Sequence, residues 1–405
     1  MHMDFYQGRI LRIDLSSGTT RVEPLQMEWA RLYIGGKGLL FRYLLDEVDP
    51  GIDPLSERSP LMFFTGPFAG TGVTTCSRLV VGCKSPATGT ILDSYVGGSF
   101  GPELKSAGYD GLILTGRAAR PTLVWINDDV VELRPAESYM GMGIADLEER
   151  LRKDLDTKAR FMSNGPAGEN LLPWACLSTD QYHKAGRGGA GALMGSKNVK
   201  SVAVRGTGSV SVGDVPAFLK DLRRMHRDYI FTPANMWAHE EGTLALVDMV
   251  QMAGAMPTRN WSQGQFEAID NINSRAYMAM RLKKRACSQC ALGCRNFHVF
   301  GDARGEGPEF ETVAHGDDFV APSASPPCRA SSATTMATDR TAAWTATHRS
   351  AGSLRQQPRD AEGLDGHMTN DQEVPALLFD HCPDGRESAL WGYWHMTDCP
   401  MPRPF

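Results

Sequence analysis

Short apolar runs separated by glycine dominate the first half of the chain, from Gly8 to about Gly213. The runs are bounded by Gly, Pro, Asp or Ser, which is typical of β-strands. Helical patterns interrupt them around Trp29–Glu47 and Gly143–Leu155. Together these features predict an α+β fold whose first domain, residues 1–213, is rich in β-sheet. The clearest strand-like runs are Arg9–Asp14, Leu61–Phe64, Arg78–Gly82, Gly111–Thr115, Leu123–Ile126 and Ser201–Arg205.

Helical spacing replaces the strand-like runs near residue 214. One amphipathic helix is expected at Pro216–His226 and a second at Gly242–Gly254. We therefore predict a partial helical domain at residues 214–314, which also contains a cluster of cysteines. The apolar face of the first of these helices is formed by Phe218, Leu219, Leu222 and Met225.

The chain changes character again after residue 314. Residues 315–405 contain no lysine and no isoleucine, and Ser, Ala, Thr, Arg and Pro dominate residues 322–358. Such a composition buries too little apolar surface to offset the entropy of the chain. We expect an aberrant low-complexity tail that is either disordered or translated out of frame. Resequencing the locus distinguishes these two explanations.

Composition and charge narrow the classes of function. The net charge is −5, so the chain lacks the basic footprint of a protein that binds nucleic acid or an anionic membrane. No apolar run approaches the ~20 residues that span a bilayer. Residues Met1–Arg9 show no signal-peptide pattern. The expectation is a cytoplasmic protein with neither a membrane nor a nucleic acid as partner.

Three cysteines crowd into eight residues as a C-x2-C-x3-C motif formed by Cys287, Cys290 and Cys294. Cysteine thiolates are the usual ligands of iron–sulfur clusters, which take four of them. Zinc also accepts four cysteines, or three with one histidine, and His298 is a candidate for that role. The spacing favours iron–sulfur over zinc and leaves both open. Three unrelated buried cysteines are the least favoured explanation.

No fourth cysteine ligand is evident from the motif. Three other cysteines, Cys76, Cys83 and Cys176, lie in the sheet-rich domain, where a small buried side chain is the commonest role. The remaining three lie in the tail: Cys328, Cys382 and Cys399.

Two glycine-rich segments have the chemistry of anion-binding loops. Gly186–Gly191 fits G-x-G-x-x-G, but the polar residues Ser178–Ala185 before it predict no strand, which argues against a dinucleotide site. Glycines still let backbone N–H groups approach a phosphate, and Arg187 adds a bidentate donor. The segment Tyr95–Lys105 is a second glycine-rich segment of this kind, and a helix is expected to begin at Gly101-Pro102. Tight turns between sheet and helix are the alternative explanation.

Five segments, in order and spacing throughout Gly8–Ala314, together resemble the aldehyde:ferredoxin oxidoreductase family. The resemblance implies a sheet-rich first domain that serves as the base for a tungsten- or molybdenum-bis-pterin cofactor, followed by helical domains and a 4Fe–4S cluster. The matching segments are Gly8–Leu15 with Tyr33–Gly38, Ser77–Pro86 with Thr88–Gly89, Gly97–Asp110, Gly165–Asn170 with Arg187–Lys197, and the cysteine motif with Gly307–Thr312.

The resemblance also assigns individual residues. Arg78 matches the family's arginine between pterin and cluster, and Tyr95 stands where the family often has asparagine. The family's fourth cluster ligand comes from a downstream D-x-x-G-L-C motif that this chain lacks, and Asp360–Asp365, in the tail, spells a pterin-binding D-x-x-G-L-D. The implied cofactor-binding residues are Arg78, Tyr95, Gly97, Arg187, Gly188 and Ala190, and the implied metal ligands are Cys287, Cys290 and Cys294.

The resemblance implies oxidation of an aldehyde to a carboxylic acid, with electrons leaving through the 4Fe–4S cluster to ferredoxin or an electron-transfer subunit. A homodimer is the candidate assembly, and no catalytic acid or base can be assigned. One alternative within the family is a subunit that reduces the ring of an aromatic acyl-CoA. Outside it, the alternatives are a non-catalytic zinc or structural module and an inactive truncated product.

Overall fold

The computed structural model describes residues 4–306, except 257, 259–261 and 301–302. These residues form two compact units, of which the first contains the chain up to His239 together with Ala286–Gly293. The second contains Glu240–Arg285 and continues from Cys294. Several predicted features lie outside the described residues: Gly307–Thr312, Asp360–Asp365, the tail at 315–405 and its Cys328, Cys382 and Cys399.

The first sheet of the first unit has six strands in the order β2-β1-β6-β3-β4-β5. Its strands are β1 (Arg9–Asp14), β2 (Thr19–Pro24), β3 (Leu61–Thr65), β4 (Leu79–Lys84), β5 (Ile91–Val96) and β6 (Gly111–Thr115). Strands β1 and β6 are parallel, and the other neighbours are antiparallel. The associated helices are α1 (Met27–Tyr33), α2 (Lys37–Glu47) and α3 (Phe100–Ser106).

The second sheet also has six strands, in the order β11-β10-β9-β12-β7-β8. Its strands are β7 (Thr122–Asn127), β8 (Val130–Pro135), β9 (Arg160–Asn164), β10 (Leu177–Thr179), β11 (His183–Ala185) and β12 (Val199–Arg205). The remaining helices of this unit are α4 (Ile144–Asp154), α5 (Pro166–Glu169), α6 (Ala190–Ser196), α7 (Val215–Met225) and α8 (Met236–Glu240), which continues one residue into the second unit. Single helical turns occur at Glu137–Tyr139, His226–Ile230 and Pro233–Asn235.

The two sheets share one topology. Each begins with an edge hairpin (β1–β2, β7–β8), continues through one parallel pair (β1–β6, β7–β12) and ends with three antiparallel neighbours. The two glycine segments occupy equivalent places, between β5 and α3 and between β11 and α6. Gly98 and Gly188 both have left-handed backbone angles there, with φ of +88° and +92°. The first unit is therefore an internal structural duplication.

The inner faces of the two sheets share one core that also contains α3 and α6, whereas α2 and α4 pack on the outer faces. Neighbouring side chains of a strand point to opposite faces of the sheet. Phe63 points into the shared core, whereas Phe64 packs under α2. In the second sheet Val202 points inward and Ala203 faces α4. Because both faces of these strands are buried, they are continuously apolar rather than alternating. Burial of one such large side chain stabilises the fold by about 1.5–3 kcal/mol.

The second unit combines short helices with a three-stranded antiparallel sheet in the order β13-β14-β15. Its elements are a turn at Gly242–Leu244, α9 (Ala245–Met252), a turn at Ile269–Asn271, α10 (Ser274–Met278), β13 (Arg281–Arg285), β14 (Arg295–Phe300) and β15 (Ala303–Glu306). The Asn273 side chain accepts a 3.1 Å hydrogen bond from the Ala276 N–H and so caps α10. Its buried core consists of Leu244, Val247, Met256, Phe266, Ile272 and Tyr277.

The predicted α+β fold with a sheet-rich first part is confirmed. The helix expected at Gly242–Gly254 forms as a short turn followed by α9. The strands around the cysteines were not predicted, because β13 is a basic and largely exposed strand with no apolar alternation. The domain boundaries at 1–213, 214–314 and 315–405 remain predictions. Across the described ranges, no helix combines the length and apolar character needed to cross a membrane.

The expectation that Ser178–Ala185 contains no strand is wrong. This segment forms β10, β11 and their connecting turn. Ser178 is fully buried although polar, and its hydroxyl accepts a 2.7 Å hydrogen bond from Lys184 Nζ. Buried polar groups that are hydrogen-bonded need no apolar pattern. The hairpin is antiparallel, so the glycine segment after it still lacks the parallel unit of a dinucleotide fold.

Candidate functional site

Two of the three motif cysteines lie in the loop Ala286–Gly293, which belongs to the first unit. Gln289 and Gly293 both adopt left-handed angles, with φ of 57° and 56°, so the chain turns tightly there. The Cys290 N–H donates a 3.1 Å hydrogen bond to the Cys287 carbonyl. Both thiols are half-buried. The loop thus presents two sulfurs from one compact turn.

The first glycine segment lies directly against this cysteine loop. The Ser288 N–H donates a 3.1 Å hydrogen bond to the Gly98 carbonyl. A Cβ atom added to Gly97 would lie 2.7 Å from the Cys287 sulfur and 3.4 Å from His183 Nδ1. Any larger residue at position 97 would require the Cys287 side chain to shift. The structure therefore brings together Gly97 and Cys287, which the sequence assigned to different cofactors.

A second segment, at Thr74, fastens the other side of the cysteine loop. The Thr74 hydroxyl accepts a 2.7 Å hydrogen bond from the Ala291 N–H and lies 3.7 Å from the Cys290 sulfur. Burial opposes ionisation of Cys290. Hydrogen bonds, from the backbone of Gly293 first and then from Thr74, outweigh it and hold the pKa of this thiol below its ordinary value. Since the thiolate is the form that binds metal, the loop favours ligation by Cys290.

Asp180 supports the first glycine segment from the second sheet. Its carboxylate accepts a 2.6 Å hydrogen bond from the Ser99 N–H, just before α3. Asp180 and Gln181 both have left-handed angles, with φ of 51° and 66°, and form the turn between β10 and β11. Sequence analysis did not identify Asp180 or Thr74. Both act through contacts more than 80 residues away in the sequence, for which the local sequence carries no signal.

A buried carboxyl group, Glu148 on α4, lies behind this turn. It takes a backbone hydrogen bond from Gln181, and Arg152 lies 3.3 Å away. Burial raises the pKa of Glu148 to about 7, and the hydrogen bond from Gln181 opposes this rise without cancelling it. The turn that carries Asp180 thus rests on a carboxyl group that titrates near neutrality.

Replacing Glu148 by glutamine should remove a pH dependence of stability. The pKa of Glu148 in the folded protein, about 7, exceeds its ordinary value of 4.5. The protonated carboxyl group therefore adds to the free energy of unfolding below pH 4.5, and this contribution is lost as the pH rises through 7. We expect Glu148→Gln to be more stable than wild type by about 1–3 kcal/mol at pH 8 and equal to it near pH 4.5. Urea unfolding at both values tests this. The exposed neighbour variant Glu149→Gln is the control, and a pH-independent difference contradicts the expectation.

The second glycine segment is packed tightly into the protein. A Cβ atom on Gly188 would overlap Leu92 of β5, and one on Gly189 would overlap the Pro173 carbonyl. The Ser85 hydroxyl donates a 2.8 Å hydrogen bond to the Gly188 carbonyl. Packing alone therefore requires glycine at these positions. Beside them the Arg187 side chain is exposed, whereas Ala190 is fully buried at the start of α6.

The two remaining residues that were predicted to contact the cofactor are Arg78 and Tyr95. Arg78 is exposed immediately before β4. Tyr95 is 42% exposed on the edge strand β5. Lys37 forms a 2.7 Å ion pair with Asp93 of the same strand. These positions are accessible to a ligand, but their assignment to a pterin stays a prediction.

The third motif cysteine, Cys294, belongs to the second unit. A Cβ atom on Gly242 would overlap the Cys294 carbonyl, so the backbones pack closely here. His298, the candidate zinc ligand, is fully buried and packs edge-on against Tyr277, with ring centroids 6.1 Å apart. Its place in an apolar core disfavours the zinc alternative. Among the side chains that the structure describes, no group of three or more His, Cys, Asp or Glu residues could hold a metal ion.

Two family models match this chain. The N-terminal domain of aldehyde ferredoxin oxidoreductase matches residues 10–206, and domains 2 and 3 of that family match residues 221–317. The chain belongs to the aldehyde ferredoxin oxidoreductase family. The resemblance inferred from five sequence segments is thereby confirmed.

Relatives of known function agree with this family membership. The tungsten-containing aldehyde ferredoxin oxidoreductase of Pyrococcus horikoshii is 38% identical over 315 residues, which cover 76% of this chain and 51% of that protein. The protein of the same name from Pyrococcus furiosus is 36% identical with the same coverage. The aliphatic sulfonate oxidoreductase, WOR-like subunit, of Pyrococcus furiosus is 29% identical and covers 76% and 53%. The chain spans about half the length of these relatives.

A solved structure shares the fold. It is the active site complex BamBC of benzoyl coenzyme A reductase with bound 1,5-dienoyl-CoA. The similarity has a TM-score of 0.67 at 26% identity, over 86% of this chain and 57% of that one. The proteins similar to this chain are therefore named for aldehydes, for an aliphatic sulfonate and for an aromatic acyl-CoA.

Proposed function

We propose that the protein oxidises aldehydes to carboxylic acids, using a tungsten- or molybdenum-bis-pterin cofactor and a 4Fe–4S cluster. The observation that carries this proposal is the approach of Gly97 to Cys287, because it joins the segment assigned to the pterin with the segment assigned to the cluster. The bound cofactor would supply the two-electron chemistry. The residues of this chain bind it, orient it and tune the sulfur ligands.

The chemistry of the cysteine loop suits an iron–sulfur cluster, because cysteine thiolates are the usual ligands of such clusters. Cys290 receives backbone hydrogen bonds and one from Thr74, which lower its pKa, and hydrogen bonds to sulfur are among the factors that set the potential of such clusters. Cys287 and Cys290 are both half-buried. We assign Cys287, Cys290 and Cys294 as three ligands of the cluster.

The duplication of the first unit fits a cofactor made of two similar pterins. Each half contributes one glycine segment at the same place in its sheet, and Gly98 and Gly188 share the same left-handed conformation. Arg78 and Arg187 are both exposed, and an arginine guanidinium binds phosphate groups bidentately. We assign the pterin-binding surface to these segments, namely to Arg78, Tyr95, Gly97, Arg187, Gly188 and Ala190.

An electron-transfer partner completes the proposal. One relative is named as a subunit and the structural neighbour is a complex of two components, which supports work with a partner protein. We propose ferredoxin or an electron-transfer subunit as the acceptor of electrons from the cluster. A homodimer is the assembly to test by light scattering.

One alternative substrate class has a specific observation in its favour. The structural neighbour is a benzoyl coenzyme A reductase that holds 1,5-dienoyl-CoA. The alternative activity is therefore reduction of the ring of an aromatic acyl-CoA. It would use the same pterin and cluster segments, but it differs in the substrate and in the direction of electron flow, because the ring is reduced whereas an aldehyde is oxidised.

Anoxic assays of the purified full-length chain distinguish the two activities. We expect aldehyde-dependent reduction of a viologen dye, with one carboxylic acid formed for every two molecules of this one-electron acceptor that are reduced. Aromatic CoA thioesters and their dienoyl products should give no turnover. Turnover of the CoA thioesters without oxidation of any aldehyde would replace the proposed function by the alternative.

Replacing Arg187 by glutamine should weaken cofactor retention. Loss of a charge-assisted contact costs about 1.5–3 kcal/mol, or roughly 10–100-fold in affinity. Tungsten or molybdenum and pterin, measured after gel filtration, should fall while iron stays unchanged. Arg120→Gln is the matched control, because Arg120 is an exposed arginine of the second half whose side chain is 66% accessible. Equal retention in both variants would remove Arg187 from the site.

A further inference from the structure

A β-hairpin leads into each of the two glycine segments of the first unit. Strands β4 and β5 enclose the turn 85–90, and the glycines of the first segment follow them at residues 97–98. Strands β10 and β11 enclose the turn 180–182, and the glycines of the second segment follow them at residues 186–189. The two hairpins therefore occupy equivalent places in the two halves of the structural duplication.

The hairpin of the second half holds the glycine segment of the first half. The Asp180 carboxylate, in the turn of that hairpin, accepts a 2.6 Å hydrogen bond from the Ser99 N–H. His183, at the start of β11, is buried, and a Cβ atom added to Gly98 would lie 3.2 Å from its ring. The same Cβ atom would lie 2.6 Å from the Asp180 carboxylate. The position of the first glycine segment thus depends on residues of the second half.

The hairpin of the first half holds the glycine segment of the second half. The buried Ser85 hydroxyl, in the turn of that hairpin, donates a 2.8 Å hydrogen bond to the Gly188 carbonyl. A Cβ atom added to Gly188 would overlap Leu92 of β5. One added to Gly189 would lie 3.0 Å from Pro86 of the turn. The support is therefore reciprocal, because the hairpin of each half fixes the glycine segment of the other.

We propose that Asp180 and Ser85 are equivalent positioning residues, and that through them the two glycine segments bind the cofactor as one coupled surface. This inference rests on the proposed function, which assigns the pterin-binding surface to both segments. Loss of either hydrogen bond frees the turn of one hairpin. Because that hairpin leads into one glycine segment and holds the other, both segments lose support together.

Hydrogen–deuterium exchange of the full-length chain tests the coupling without bound cofactor. Asp180→Ala should speed exchange of the Ser99 amide roughly 10–100-fold, the usual effect of losing a hydrogen bond to a charged group. Exchange should also rise in peptides that cover residues 186–189, because the freed turn leads into them through β11. Ser85→Ala should likewise raise exchange in both glycine segments. A rise confined to the segment that loses its hydrogen bond would overturn the inference.

Asp128 provides a matched control for Asp180. It also lies in a hairpin turn with a left-handed angle, φ of 50°, and its carboxylate accepts a 2.7 Å hydrogen bond from the Thr207 N–H. Asp128→Ala should leave exchange in both glycine segments unchanged. Asp180→Asn keeps an acceptor oxygen and should slow exchange again in both segments. Equal exchange in Asp128→Ala and Asp180→Ala would reduce the effect to a general loss of stability and overturn the inference.

Release of the cofactor from the loaded chain is a second readout. Tungsten or molybdenum and pterin should leave on dialysis roughly 10-fold faster from each single variant. The double variant of Asp180→Ala with Ser85→Ala should release them no faster than the faster single variant. Effects that multiply in the double variant would show two independent loops and contradict the coupling. Wild type purified without pterin, tungsten and molybdenum would reject the proposed function instead, and exchange would still decide the coupling.

Discussion

Replacing Gly97 by alanine is expected to lower the affinity for the iron–sulfur cluster by about 10–100-fold, the usual effect of changing a group that supports a metal ligand. The added methyl group would lie 2.7 Å from the Cys287 sulfur, well inside van der Waals contact. Since the Ser288 N–H is bonded to the Gly98 carbonyl, the cysteine loop cannot simply move aside. Iron content and visible absorption after anoxic purification measure the loss.

The matched control for Gly97→Ala is Gly186→Ala in the second glycine segment. A Cβ atom on Gly186 would meet no atom within 4 Å, and its backbone angle is one that alanine adopts. This variant should keep its iron and its stability. If both variants keep their iron, the approach of the glycine segment to Cys287 plays no part in cluster binding, and the observation that carries the proposed function fails.

Replacing Lys105 by methionine is expected to destabilise the first unit by about 3–5 kcal/mol, because it leaves a buried charge without its partner. Lys105 Nζ and Asp110 Oδ1 are 2.8 Å apart, and the side chains are only 0% and 2% exposed. Lys105 also donates a 2.6 Å hydrogen bond to the Phe5 carbonyl. Asp110 accepts a hydrogen bond from the Gly8 N–H, so the pair joins α3 to the start of β1. Urea unfolding measures the loss.

An exposed ion pair provides the control for Lys105→Met. Lys153 and Glu149 on α4 are 2.7 Å apart with side chains 68% and 65% exposed, and exposed pairs contribute about 0–1 kcal/mol. Lys153→Met should therefore leave the free energy of unfolding almost unchanged. The double variant of Lys105→Met with Asp110→Leu should recover part of the lost stability. Equal effects in the two single variants would contradict the structural role of the buried pair.

Strands buried on both faces were predictable from the sequence, and those with polar side chains were not. Leu61–Thr65 and Gly111–Thr115 are apolar runs, and both form strands close to their predicted bounds. In β10 and β11 part of the side chains are polar, and Ser178 and Lys184 are hydrogen-bonded to each other. Burial of such strands depends on tertiary partners, which a local pattern does not contain.

The structural duplication of the first unit could not be predicted from the sequence, for a related reason. The two halves share a topology, but in the glycine segments little more than Gly98 and Gly188, and Gly101 and Gly191, repeats in the sequence. The backbone conformation and close packing at these positions require glycine. The other side chains pack against different sheets, so they can differ between the two segments. Both segments were predicted from the sequence to be anion-binding loops. Only the strand order of the two sheets shows that they occupy equivalent places.

Some residues of the candidate site could be predicted from the sequence, and others could be identified only from the folded structure. The cysteine motif and Gly97 carry local signals, a spacing and a glycine run. Thr74 and Asp180 carry none, because each acts on a segment that is distant in sequence.

Metal and pterin analysis of the full-length chain, purified without oxygen, tests the central claim most directly. The account predicts about four irons per chain, together with pterin and either tungsten or molybdenum. Iron without tungsten, molybdenum or pterin would contradict the proposed oxidation while leaving family membership intact. Zinc alone, in a colourless protein, would contradict the cluster and replace the redox centre by a structural metal site.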